Sequence, residues 1–264
     1  MNWPYIKIID SLINKGVRFV VYKTPENNSP VLAVQTTSPL SKILIEDIEN
    51  KSGFVIAAFE SAKTNEVFLL NPDFIIKGET GLPELKLYLK KLPDNRPKHN
   101  ASNHQLSKNE YLEKAIYFIE KIKSGEFSKV VLSRVLTMEI ANSIEYSRFY
   151  GRLCQNNNKA FVYLLHTPET GIWAGATPET LLKKNKEKWE TMAVAGTRLL
   201  SDFRKQPDWD KKEIEEQQMV SSYIKNLLSG LGVNDFYAKG PKTITAGKIV
   251  HLKTTFSINI NCFR

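Results

Sequence analysis

Apolar and polar positions along the chain change period several times, and each change marks an element. Residues 4–14, "PYIKIIDSLIN", carry apolar side chains at helical spacing, and Gly16 supplies a stop. Four short runs rich in β-branched and aromatic residues follow: "VRFVVYK", "PVLAVQT", "GFVIAAF" and "EVFLL". They read as strands. "PELKLYLKKL" (83–92) returns to a helical period, with proline in the first turn, where its missing N–H costs nothing. The polar stretch 93–106 reads as a linker.

Beyond it, Ser107 and Glu110 have the spacing of a capping box. They open a helix with Leu112, Ala115, Ile116, Ile119 and Ile122 on one face, ended by Gly125. "SKVVLSRVLTMEI" (128–140) alternates as a strand, and a helix is expected over 144–154. "KAFVYLLHT" and "TGIWAGA" read as paired strands. Thr177, Pro178 and Glu179 then look like a helix start: an N-cap, a first-position proline and an acid in the first turn. "KWETMAVAGT" reads as a strand ending at Gly196, 210–231 as a long amphipathic helix, and "KIVHLKTTFSINI" as a last strand. Strands joined by short links predict an α+β fold with mainly antiparallel sheets. The chain divides into 1–92, the linker 93–106 and 107–264.

Composition narrows the function. A chain of 264 residues can bury a sizeable core. No apolar run is long enough to span a bilayer, and the N-terminal helix lacks the compact apolar core of a secretion signal. Cys154 and Cys262 are far apart and not at metal spacing, which fits free thiols in a reducing cytoplasm. The net charge of +9 is spread along the chain, and no RNA-module or zinc-finger spacing accompanies it. A basic balance can serve nucleic acid, a membrane surface or an anionic small molecule, and of these no nucleic acid and no membrane are expected as partners.

Five places could carry chemistry. Lys129 heads an apolar strand pattern: it is either a rim lysine reaching water or a desolvated general base. Glu179 is either a helix-start acid or a carboxyl group fixed at a rigid turn. Glu213 and Glu216 share a helix face, as a solvated acidic patch or as part of a divalent-cation site. "AVAGTR" places small residues after a strand, where backbone amides can approach an anion; the plain alternative is an ordinary turn. His251 lies mid-strand, a pattern commoner for structural than catalytic histidines. His99, His104 and His166 give no signal.

In sequence order, "KVVLSR" (129–134), "GATPETLL" (175–182), "AGTR" (195–198), "KKEIEEQQMV" (211–220) and "HLKT" (251–254) resemble the chorismate-utilising enzymes. The resemblance covers about residues 107–264; the stretch 1–92 matches only in general character, as a variable N-terminal part. It implies two packed, mainly antiparallel sheets with helices outside. It implies Lys129 as the base that activates water for attack at C2 of chorismate. Glu179 is implied as the acid that protonates the departing C4 hydroxyl. Glu216 is implied as a Mg²⁺ ligand, Glu213 as an acid beside that metal, and Gly196, Thr197 and His251 as substrate contacts. A closed, partly dry site would favour the neutral lysine and the protonated carboxyl that this chemistry needs.

Within the family, a lysine at 129 marks water-using members, and an apolar Ala195 argues against the aminodeoxychorismate synthases, which carry a nucleophilic lysine there. Together these resemble an isochorismate synthase, with salicylate synthase as the alternative. Gln217 stands where the family often has histidine. Family members continue past the "HLKT" strand with a second glutamate for Mg²⁺ and further carboxylate-binding groups. The expectation is therefore a truncated pocket and a chain inactive alone, with a non-catalytic fragment as the reading from another class. The sequence leaves menaquinone and siderophore synthesis both open as the pathway, with menaquinone preferred.

Overall fold

The computed structural model describes residues 3–95, 105–139, 144–185 and 187–259. In chain order the elements are α1 (Ile8–Asn14), β1 (Arg18–Lys23), β2 (Val31–Gln35), β3 (Ser41–Leu44), β4 (Phe54–Ile56), α2 (Ser61–Thr64), β5 (Glu66–Leu70), β6 (Phe74–Lys77) and α3 (Leu82–Lys90). There follow α4 (Lys108–Lys123), α5 (Tyr146–Asn156), β7 (Phe161–Thr167), β8 (Gly171–Thr177), β9 (Lys183–Asn185), β10 (Lys188–Leu199), α6 (Leu200–Lys205), α7 (Lys211–Gly230), β11 (Phe236–Ala246) and β12 (Ile249–Asn259). The chain forms two units, 1–97 with 146–264, and 98–145.

In the larger unit every strand pairing is antiparallel, and the strands form three sheets. β1 is the middle strand of the order β6-β2-β1-β7-β8. Its sequence explains the place, since a strand covered on both faces must be apolar without alternation. Phe19 and Val21 enter a core with α1, α3 and α5, while Val20 enters a second core with residues of β4 and β5. The second sheet has the order β3-β5-β4 and the third β11-β12-β10-β9. α7 covers one face of the third sheet, where Leu228 packs with Ala193, Phe256 and Ile258. One sheet thus draws strands from both sides of the 93–106 stretch, because β1 pairs with β7. Residues 96–104 lie outside the described residues.

Several expectations are corrected. Residues 129–139 have no regular structure, and Ile140 lies outside the described residues. Alternation suits a strand, but a strand exists only where another supplies its ladder. No helix follows Thr177. The cap-like bond forms, with the Glu179 N–H donating to Thr177 Oγ1 at 3.2 Å. The chain then turns into β9, tethered by Thr191 Oγ1 donating to the Leu181 carbonyl at 2.6 Å. β10 does not end at Gly196 but runs on to Leu199. The helix expected from 144 starts at Tyr146, because Asp10 accepts from the Tyr146 and Ser147 amides at 2.8 and 3.3 Å. Its cap comes from α1, far away in sequence. β11 was hidden by Gly240 and Pro241; as an edge strand it tolerates them through a register shift between Lys239 and Lys242.

In the smaller unit the capping box forms as expected. The Ser107 amide donates to Glu110 Oε2 at 2.8 Å, and the Glu110 amide to Ser107 Oγ at 3.2 Å. No residue of α4 is buried. Among the described residues no helix is long and apolar enough to cross a membrane.

Candidate active site

A glycine bulge in β10 organises this region. β10 and β12 pair in register from Lys188↔Asn259 to Ala195↔Leu252, then resume at Thr197↔His251. Gly196 is the extra residue, with φ +71°, a conformation that glycine takes without strain. Side chains alternate along a strand, so one extra residue inverts the faces beyond it. Ala193 and Ala195 share a face with Leu252 and Thr254, toward α7. Beyond the bulge, Thr197 shares the opposite face with His251. The result is a contact of 3.0 Å between Thr197 Oγ1 and His251 Nδ1.

That opposite face opens on a cavity of about 750 Å³. Its walls include Asn158 and Lys159 before β7, Thr177 and Glu179 after β8, and His251 and Lys253 of β12. β8 brings Glu179 here through a close approach of strands. A side chain at Gly175 would meet the Tyr163 ring at 2.7 Å, so any larger residue there requires that ring to shift. His251 is buried and Glu179 is exposed. Burial, and next the charge of Lys242, hold the Lys253 ammonium below its ordinary pKa. A second cavity, about 600 Å³ and lined by Phe54, Phe59, Phe68, Phe161 and Trp173 among others, has no carboxylate, lysine or histidine in its walls. The polar cavity is therefore the candidate for chemistry.

The acids of α7 lie on the other side of the sheet. Gly196 faces them: a Cβ there would lie 3.1 Å from Glu213 Cβ. Glu213 Oε2 is buried and has no hydrogen-bond partner among the described residues. Glu216 follows one turn later, half-buried. Next to it Gln217 is buried, and its Nε2 donates to the Ala193 carbonyl at 3.2 Å and Thr254 Oγ1 at 3.0 Å. This amide ties α7 to both β10 and β12.

The two carboxylates fit a divalent cation in kind. A buried carboxylate oxygen without a donor suits a cation, and Mg²⁺ needs only one or two carboxylates, taking water or substrate oxygens besides. No group of three or more potential ligands gathers among the described residues, so those residues offer a partial set.

The structure thus joins Glu179 and His251 at one cavity and Thr197 to His251. It joins Gly196 to Glu213 on the opposite face, where α7 also carries Glu216. Neither α7 acid is among the residues lining the cavity. Lys129 lies in the other unit, exposed, in a segment without regular structure rather than at the head of a strand. Lys159 and Lys253 were missed as site residues. Lys253 sits inside the quoted "HLKT", and its place two residues from His251 on one strand face was the available signal.

Residues 40–261 match the family model described as chorismate binding enzyme. The isochorismate synthase EntC of Escherichia coli K12 is 26% identical over 148 residues, which is 52% of this chain and 37% of EntC. The matched region thus spans little more than a third of that relative. Two solved structures share the fold. The 2,3-dihydroxybenzoate-specific isochorismate synthase DhbC from Bacillus anthracis has a TM-score of 0.64 at 16% identity, over 93% of this chain and 68% of that one. MenF, the menaquinone-specific isochorismate synthase from Escherichia coli, has a TM-score of 0.62 at 12% identity, over 95% and 67%. The α+β, antiparallel architecture expected from the sequence is the architecture of these neighbours.

Proposed function

The chain belongs to the chorismate binding enzyme family, and from that premise we propose that it is an isochorismate synthase acting on chorismate in the cavity between β8 and β12. The observation that carries this reading is that Glu179 and His251, the latter in contact with Thr197, meet at one cavity with two lysines among the described residues of its wall. An acid, a polar anchor and positive charge are what a dicarboxylate with a poor leaving group requires.

Hydroxide leaves badly, so Glu179 delivers a proton to the C4 hydroxyl as its bond to carbon breaks. Water adds at C2 while the ring double bonds shift and gives up a proton, the step for which the family resemblance implies Lys129 as the base. His251, oriented by Thr197, holds a polar group of the substrate and restricts its rotation. Glu216, with Glu213 beside it, would hold Mg²⁺ on the α7 side of the sheet, and the ion would supply positive charge there.

The test is to incubate the chain with chorismate and Mg²⁺ and to separate the products by chromatography. Isochorismate would support this reading over the inactivity expected from the sequence, and Glu179→Gln is then expected to lower turnover by roughly 10²- to 10⁴-fold without changing the melting curve. Salicylate with pyruvate would replace this reading by salicylate synthase. Binding of chorismate without turnover would replace it by the non-catalytic one. Near-normal turnover in the Glu179→Gln protein would remove Glu179 from the mechanism.

A further inference from the structure

Lys23, the last residue of β1, is 2% exposed. Its ammonium donates to the carbonyls of Asn158 at 2.8 Å and Ala160 at 3.1 Å. A buried lysine is costly, and burial is the main cause holding this one below the ordinary lysine pKa. An apolar side chain would fill the end of a central strand more cheaply. The two carbonyls are not arbitrary. They flank Lys159, so the ammonium fixes the backbone on both sides of that one residue.

Lys159 is itself exposed and stands in the wall of the polar cavity. Across the cavity stands Lys253. Glu179 is the one acid among the described residues of the wall, set against these two lysines. The cavity is therefore suited to a small molecule with more than one negative charge. A lysine on an untethered loop would lose entropy on binding an anion, and a tethered backbone lowers that loss.

We propose that Lys159 binds an anionic group of a small dicarboxylate in this cavity, and that Lys23 is the positioning residue that presents it. The proposal rests on reading the cavity as the substrate site. The two lysines act in series, so removing either should have the same consequence.

The experiment is a double-mutant cycle on the whole chain, read by calorimetric titration with two probes, chorismate and the plain dicarboxylate isophthalate. Lys159→Gln is expected to weaken binding roughly two- to fivefold, the size of one partly exposed charge contact. Lys23→Met should weaken it similarly, and the double variant should be no weaker than Lys159→Gln alone. Amide exchange over residues 157–161 should quicken in Lys23→Met. If that variant does not fold, Lys23→Gln serves in its place. Unchanged affinity in Lys159→Gln overturns the proposal. So does full additivity in the cycle, which would make Lys23 a purely structural residue, and so does unchanged exchange. If the protein binds isophthalate but not chorismate, the isochorismate reading fails and the cycle is read on isophthalate. If neither probe binds, both ideas fall.

Discussion

In β12, Val250, Leu252, Phe256 and Ile258 are each 6% exposed or less, whereas Val131, Val135, Leu136 and Met138 in the segment 129–139 are 58–80% exposed. The two stretches are similar in length and apolar content. β12 lies between β10 and β11, with α7 packed over one face. The other segment has no ladder partner among the described residues. Burial follows from partners, which hydrogen-bond the backbone on both sides and so let apolar side chains leave water. Apolar character alone does not achieve it.

The sharpest way to test the contrast is to cut one side chain in each stretch. Phe256→Ala should cost about 3–5 kcal/mol in urea unfolding, because it removes a buried ring and leaves a cavity. Val131→Ala should change stability by less than about 0.5 kcal/mol. A cost near 2 kcal/mol for Val131→Ala would break the comparison and show that the segment is covered in solution. Next in size, Gly196→Ala should cost roughly 1–3 kcal/mol, since it places a Cβ at positive φ against Glu213. An unfolding midpoint equal to that of the parent would mean that the bulge relaxes freely.

In the smaller unit, Ser107→Ala should cost about 1 kcal/mol, confined to α4 and read as faster amide exchange in its first turns. Equal effects on β12 amides would show that α4 is coupled to the sheets. The smallest expected effect is on pH. Hydrogen bonds to Ser107, side chain first and backbone second, hold the Glu110 carboxyl below its ordinary 4.5. A depressed carboxyl stabilises the fold above the unfolded value and loses that effect as pH falls through the folded one. α4 amides should therefore exchange faster on acidification from about pH 5 to about pH 3, beyond any change in intrinsic rate. A Ser107→Ala protein with the same pH response would count against this origin.

Local signals were legible in the sequence. The capping box at Ser107, the stop at Gly16 and the apolar runs of β1, β2, β5, β7 and β12 all describe neighbours in the chain. Glu179 and His251, both singled out in the sequence, line the polar cavity. What was hidden depends on distant contacts. Asp10 caps α5, Thr191 holds back a helix after Glu179, and Lys23 reaches Asn158 and Ala160. The division of the site residues between the two faces of the third sheet was hidden for the same reason. It turns on a single inserted glycine that the sequence shows only as part of an ordinary small-residue turn.

β10 has something like a reading frame, and that insertion stands outside it. Replacing Gly196 strains the strand but leaves the frame intact. Deleting it would join Ala195 opposite Leu252 directly to Thr197 opposite His251 in an unbroken ladder, with Thr197 still on the His251 face. The Thr197–His251 contact therefore requires only that whatever lies between Ala195 and Thr197 stay out of the ladder, which a glycine at φ +71° does without strain.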